Sequence, residues 1–405
     1  MTTKKHQKKL MLLGGLRYLL PVIVEAHKLD LYVITVDYHP GNIAHTYSDE
    51  YHNVSIFDKN AVLELAQRLK IDGIMSFAVD PGVVTAAYVA EKMGLPFQGS
   101  YESVSILQHK VKFRKFLTEN GFNVPVAKGY DNEQDALKDI QRFNWPIIVK
   151  PVDSAGSKGV SKVEKIEDLS DAINYALSES HSGNFIIEDF LEKEGNSSDS
   201  EGFSINGQLI FCSFNNQRFD AVAENPYTPA AYSWPSTMPQ EVQHELYSEL
   251  QRLISLLDLK TGIYNIETRL CTNGKSYIME MSPRGGGNRL AEMLDIATNS
   301  ALIENSVRAA VGLPLRQIEK PIYNGHICEI ILHADRAGKF ERVEIADNVK
   351  PYVIQTDLWV KQGDNVEGFT GANQTIGTLV LRFTSKEMLE NAMTNISSWC
   401  KTIVK

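Results

Sequence analysis

Glu267, in the run "YNIETRL", and Glu280, in "YIMEMSPR", stand on either side of Asn273-Gly274. An Asn-Gly pair between two apolar runs is the strongest short signal for a hairpin, and a turn there sets the two glutamates almost opposite each other across the ladder. Facing carboxylates repel. The arrangement persists cheaply if a hard divalent cation sits between them, and magnesium binds through one or two carboxylates plus substrate phosphates. The competing reading is that both glutamates face solvent, for which Ile266, Ile278 and Met279 leave room. Beyond Glu280 the chain supplies Ser282, Arg284 and then Gly285 to Gly287, a cation beside bare backbone. Such glycines would let a substrate approach the main chain closely, Arg284 would set a positive charge beside it, and Asn288 and Arg289 could meet the substrate's own charge.

A second cation, Lys150, ends the apolar run "WPIIVK" and precedes "PVDSAGSKGV", a loop of small residues with free backbone amides. A lysine beside exposed N–H groups is what phosphate oxygens require; a lysine capping a strand end above an ordinary loop is the alternative. This is not a Walker loop. The one Gly-Lys-Ser, Gly274 to Ser276, has Arg269 where the motif demands its first glycine.

These residues need elements to hold them. The first hundred residues alternate between apolar strands ("KLMLLGG", "LYVITVDYHP", "DGIMSFAVDPG") and helices ("YLLPVIVEAHKL", "NAVLELAQRLK", "VVTAAYVAEKMGL"), which implies βαβ units around a doubly wound parallel sheet. Gly14-Gly15 followed by Asp37 raises a dinucleotide fingerprint, but Arg17 and Leu19 break its glycine spacing, so a tight strand-to-helix turn is the better reading. Ligands of such sheets bind outside the carboxyl ends of the strands, which places Asp80 beside one.

From Lys110 the pattern changes to an amphipathic helix "HKVKFRKFLTENG", a helix near 133–143 and the strand "WPIIVKP". "EKEGNSSDSEG", residues 192–202, reads as a small-residue acidic loop before the strands "FSINGQLIF" and "CSFNNQRFD", and a loop with Pro226, Pro229, Pro235 and Pro239 follows. Val242, Leu246, Leu250 and Ile254 mark a helix. The last eighty or so residues read as strands and one helix.

With 405 residues, 43% hydrophobic and 22% charged, the chain can bury several cores. A net charge of -9 opposes broad binding of nucleic acid or anionic lipid, so small-molecule partners are expected. Cys212, Cys271, Cys328 and Cys400 form no CxxC pair, which suits a reducing cytoplasm and argues against a zinc site or a disulfide framework. The basic head and apolar stretch at the start imitate a secretory leader, but Arg17 interrupts it, and no uncharged apolar run approaches the ~20 residues of a membrane helix.

Taken in order, these pieces resemble the ATP-grasp superfamily, in its carbamoyl-phosphate-synthase-like and biotin-carboxylase-like branch. The resemblance implies an α/β ATP-grasp fold: a Rossmann-like pre-ATP-grasp domain over 1–105, the ATP-grasp domain over 106–320 with a lid at about 127–205, and a small α+β subdomain over 321–405. It implies ATP and Mg2+, with Mn2+ as a substitute. Lys110 and Lys150 would be the ATP lysines, and "DSAGSKGV", with Ser154, Gly156 and Ser157, the loop over the phosphates. Glu188, Asp189, Phe190 and Leu191 would read adenine through their backbone. Glu267, Glu280 and Ser282 would hold metal, and Arg284, Lys150 and Asn288 would be catalytic. Ser282 stands where the family commonly has Asn, the loop at 153–160 is poor in glycine, and no biotin-carrier segment is present. The activity implied is a carboxylate-amine (or carboxylate-thiol) ligase for small molecules, releasing ADP and phosphate. The alternatives are a bicarbonate-using carboxylase and a non-catalytic ATP-binding regulator; a cytoplasmic homodimer without nucleic-acid or membrane partners is expected.

Overall fold

The computed structural model describes residues 7–154, 156, 158–220, 225 and 227–405. Near the start, β1 (Lys9–Leu13), β2 (Tyr32–Val36), β3 (Glu50–His52) and β4 (Gly73–Ser76) make a parallel sheet in the order β3-β2-β1-β4. Leu10 to Leu13 are wholly buried because α1 (Leu20–Lys28), α2 (Lys59–Leu69) and α3 (Asp80–Met93) accompany this sheet, and parallel sheets covered on both faces read as continuous apolar runs. Asp37 closes β2 by accepting bonds from the His39 amide and Asn42 Nδ2. The short β3 escaped the sequence reading, as did α4 (Tyr101–Gln108), which abuts α5 (Lys110–Glu119).

A second, antiparallel sheet in the order β5-β8-β6-β7 follows, made of β5 (Ala127–Tyr130), β6 (Ile147–Pro151), β7 (Ser161–Val163) and β8 (Phe185–Asp189), with α6 (Glu133–Asp139) and α7 (Leu169–Ser178) beside it. This sheet ends at Asp189. The acidic stretch that follows is not all loop. Ser198–Ile205 is β9, with Ser198, Ser200, Glu201 and Ser204 buried, and it pairs with the hairpin that carries Glu267. Small polar residues imitate a loop in sequence, yet here the ladder and a covered face hold them extended.

"FSINGQLIF" is likewise a hairpin, turning at Asn206-Gly207 between β9 and β10 (Gln208–Cys212). "CSFNNQRFD" holds β11 (Asn216–Phe219), and the proline-rich stretch holds β12 (Pro229–Trp234), whose proline sits at the strand's first position, where it is tolerated. Pro226 lies outside the described residues. α8 (Gln240–Leu256) is the expected amphipathic helix: Leu246, Leu250, Leu253 and Ile254 are fully buried, in one cluster with Leu209, Tyr264, Ile266 and Ile278.

The hairpin of β13 (Gly262–Leu270) and β14 (Ser276–Ser282) closes the third sheet, β10-β9-β13-β14. α9 (Leu290–Thr298) and α10 (Leu302–Ala310) follow. The remaining chain forms β15 (His326–Leu332), β16 (Gly338–Ile345), β17 (Val353–Leu358), β18 (Asn365–Val366), β19 (Gly377–Phe383), α11 (Lys386–Thr394), α12 (Ile396–Trp399) and β20 (Cys400–Val404). It thus has two helices where one is expected, the second a single turn. The fourth sheet, β11-β12-β15-β19-β17, draws two strands from before the hairpin. All four cysteines are free thiols, and among the described residues no helix is long and apolar enough to cross a membrane.

Leu250→Ala removes a fully buried side chain beneath the third sheet and is expected to cost about 3 kcal/mol in urea-unfolding measurements. Leu256→Ala on the same helix, where the leucine is 47% exposed, should stay within about 0.5 kcal/mol of the parent.

Candidate active site

The alternation of β13 builds the site. Ile266, Thr268 and Leu270 are buried on one face, while Asn265, Glu267 and Arg269 face a cleft of about 1660 Å³. Glu267 pairs in register with Glu280 on β14 and, on its other side, with Asp199 on β9. Three carboxylates therefore lie in one row across three strands. A bulge just past Glu267 shifts the hairpin register, and Met279 is passed over between Glu280 and Ile278.

The expected nucleotide, metal and catalytic residues that are described all line this cleft: Lys110, Lys150, Ser154, Gly156, Glu188, Asp189, Phe190, Leu191, Glu267, Glu280, Ser282, Arg284 and Asn288. Ser157 lies outside the described residues. Asp80 borders the same cleft at the start of α3.

The cations are held tightly. Lys150 Nζ lies 2.8 Å from Glu188 Oε2, and Arg114 Nε lies 2.8 Å from Glu188 Oε1. Arg114 also donates to the Met279 carbonyl, yet its buried Nη2 has no acceptor. Lys110 Nζ donates to the Ser154 carbonyl at 2.9 Å and stands 3.7 Å from Glu280 Oε1. Glu188 is buried; desolvation alone would raise its pKa, but Arg114 and Lys150 outweigh that and hold it down at about 2. Its side chain is thus a structural anion. Further along, the Phe190 amide bonds to the Pro146 carbonyl, the Asp189 carboxylate accepts from Asn144, and Arg269 Nη1 donates to the Leu191 carbonyl.

The carboxylate row is out of balance. Burial raises the Glu267 pKa; Arg269, 3.5 Å away, opposes this, while Glu280 and Asp199 push it further up. Burial likewise lifts Asp199 to about 6 against bonds from Asn265 and Tyr232, and Glu201 to about 8 against a bond from the Gly286 amide. Opposed like charges destabilise a ladder, and an added divalent cation would reverse that sign. The donor set therefore fits such an ion. Ser282 spends its hydroxyl hydrogen on Asp80 Oδ1 and one lone pair on Gln108 Nε2, leaving the other lone pair as a ligand.

Arg284 is buried and preorganised. Nε and Nη2 bind Asp80 Oδ1 at 2.8 and 2.6 Å, while Nη1 donates to the Gly285 carbonyl and to Asn265 Oδ1. The glycines correct the sequence reading. A Cβ on Gly285 would lie 2.2 Å from the Phe77 ring, and one on Gly286 would lie 2.8 Å from Asn265 Nδ2. Those two are small because the protein packs on itself, and only Gly287 lines the cleft. Arg289 is also corrected. It is not among the residues lining the cleft and bonds Thr378 and Gln355 behind it, with Glu292 beside it. Asn288 does line the cleft, bonded to Tyr18 and Tyr232. Asn288 and Arg289 have φ of 49° and 56°, left-handed backbone that costs energy at a non-glycine residue and clusters at functional sites.

Sequence reasoning missed Arg114, Asp199, Glu201 and Tyr232. A signal existed for Asn265 and Arg269, which share the parity of Glu267 on a strand. Asp199 and Glu201 carried none, hidden in an apparently loop-like stretch.

Residues 143–292 match the family model described as ATP-grasp domain. The C-terminal section of the carbamoyl phosphate synthase large chain of Aquifex aeolicus (strain VF5) is 21% identical over 297 residues, 72% of this chain and 54% of that protein. The chain thus spans about half the length of that relative. The crystal structure of an L-amino acid ligase from Bacillus licheniformis superposes with a TM-score of 0.81 at 20% identity, covering 99% of this chain and all of that one. The biotin carboxylase domain of the Hydrogenobacter thermophilus 2-oxoglutarate carboxylase, a dimer solved with MgADP, ADP and bicarbonate, gives a TM-score of 0.74 at 16% identity, covering 98% and 91%. These likenesses show the fold.

Glu188→Gln leaves two cations buried side by side. At pH 7 it is expected to cost about 3 kcal/mol of stability in urea unfolding. Because the folded-state pKa is depressed, the parent's advantage is fully present above about 4.5 and is lost as pH falls through about 2. The two proteins should therefore converge over that window.

Proposed function

We infer that this chain, an ATP-grasp protein of the carbamoyl-phosphate-synthase-like branch, is an ADP-forming ligase that joins a small-molecule carboxylate, such as an amino acid, to an amine or thiol. The observation that carries this is the in-register Glu267–Glu280 pair in a cleft that Arg284, Lys110 and Lys150 also line. The preceding domain would cover 1–105, the ATP-grasp domain 106–320 with its lid over about 127–205, and the C-terminal subdomain 321–405.

ATP would lie with its phosphates toward Lys110, Lys150 and the Ser154–Gly156 loop, and its base at the 188–191 strand end. Glu188 orients both Lys150 and Arg114, and the unpartnered Arg114 Nη2 offers a donor. Glu267 and Glu280, with Ser282, would hold Mg2+, which draws charge off the phosphoryl oxygens. The substrate carboxylate oxygen attacks the γ-phosphorus in line; an O–P bond forms, the bond to the β-phosphate oxygen breaks, and ADP leaves. The resulting acyl-phosphate is attacked at its carbonyl carbon by the amine, which loses a proton as phosphate departs. Arg284, fixed by Asp80, supplies positive charge without reorganising. Asn288, which lines the same cleft, would meet the substrate rather than the nucleotide.

An ADP-release screen over amino acids, hydroxy acids, bicarbonate and small amines tests the reading. Phosphorus NMR of a reacting mixture should show ADP and phosphate; AMP and pyrophosphate as primary products would overturn the mechanism.

Glu280→Gln should abolish turnover while keeping much of the nucleotide affinity, because a metal at that position chiefly serves the charge-rich transition state. Lys150→Ala should lower kcat and raise the KM for ATP. Either loss should cost on the order of 3 kcal/mol, roughly a hundredfold in rate. Steady-state kinetics with circular dichroism checks this, and a Glu280→Gln enzyme within about threefold of the parent would refute the metal-ligand role.

A further inference from the structure

A second cluster lies apart from the carboxylate row. Asp220 follows β11, and His333 and Asp335 follow β15. Among the described residues this is the one group of three His, Cys, Asp or Glu whose ligand atoms all fall within 4.8 Å of one another. Groups gathered this closely could hold one ion, with the side chains drawing in to the usual ~2.0–2.2 Å from imidazole nitrogen and carboxylate oxygen.

The histidine makes the case. Its Nδ1 lies 2.7 Å from the Ile331 carbonyl, which can only accept, so Nδ1 carries a hydrogen. Nε2 then faces Asp220 Oδ2 at 3.3 Å. In the neutral ring Nε2 is a lone pair pointed at a carboxylate, which is unfavourable unless a cation stands between them. The other solution is a doubly protonated ring in an ion pair. A backbone carbonyl holding Nδ1–H is the second-shell arrangement that turns Nε2 toward a metal. Phe369 stacks on the ring at 4.0 Å and 15°, and Ala334 bridges to Gly368, so the ring orientation is set by packing.

We propose that Asp220, His333 and Asp335 form a divalent transition-metal site of the zinc type, separate from the Glu267–Glu280 pair. One nitrogen and two carboxylate ligands suit Zn2+ or Mn2+ better than Mg2+, which prefers oxygen and waters. Solvent completes the coordination on the exposed Asp335 side. The ion ties the end of β11 to the end of β15. Neighbours of both segments wall the cleft, namely Phe219, Tyr227 to Pro229, Ala372 and Asn373, so metal binding stiffens that rim.

The test is calorimetric titration of ZnCl2 into chelator-treated full-length protein, with excess Mg2+ present to occupy the carboxylate row. One Zn2+ per chain should bind, with a higher melting temperature. Affinity should fall at least about tenfold in His333→Gln and Asp335→Asn, and stay at the parent value in Glu280→Gln. Asp335 is exposed, so its variant carries the test if His333→Gln fails to fold. No Zn2+ heat, or parent-like binding in Asp335→Asn, would overturn the proposal and leave an imidazolium–aspartate ion pair.

Discussion

Three acidic side chains, Asp199, Glu267 and Glu280, stand in one row across β9, β13 and β14. Much else at the site answers that constraint. The row is dictated by strand pairing, because β13 buries Ile266 in the core beneath α8, with Thr268 and Leu270 buried on the same face, and cannot slip by one residue without exposing them. The core thus holds the charges together. What the hydrophobic face gains, the opposite face partly loses in repulsion, and burial has moved Asp199 and Glu267 upward accordingly.

The surrounding cations are distributed to limit that cost without cancelling it. Arg269 reaches Glu267, and Lys110 approaches Glu280 at 3.7 Å, too long for a hydrogen bond. Arg284 is drawn off to Asp80, and Lys150 and Arg114 to Glu188. Those last three cations are positioned by carboxylates outside the row, so the row keeps capacity for an added positive charge. A buried pair such as Lys150–Glu188 is weak evidence for stability by itself. Its stronger consequence is geometric, since it fixes a lysine at the cleft wall.

The fold joins distant segments at this point. Asp80, from the first sheet's α3, accepts from both Arg284 and Ser282, and Ala78 N donates to the Gly285 carbonyl. The glycines after β14 are therefore the seam where the parallel sheet meets the hairpin, and their lack of Cβ is consumed by Phe77 and Asn265.

Local pattern was enough for three of the parallel sheet's four strands and their helices, for α8, and for the hairpin with Glu267 opposite Glu280, because each depends on short-range periodicity or on a turn signal such as Asn273-Gly274. The order of lysines, small-residue loop, glutamates and arginine was legible for the same reason: it is a property of the chain's order. Tertiary structure alone decided that residues 198–202 are a buried strand, that Pro229–Trp234 pairs with β15, and that Gly285 and Gly286 serve packing. It also turned Arg289 away from the cleft and brought Arg114, Asp199 and Glu201 to it or beneath it. Long-range ladders and side-chain partners far apart in sequence set these outcomes. The residues themselves, small, polar or charged, have little local preference to announce them.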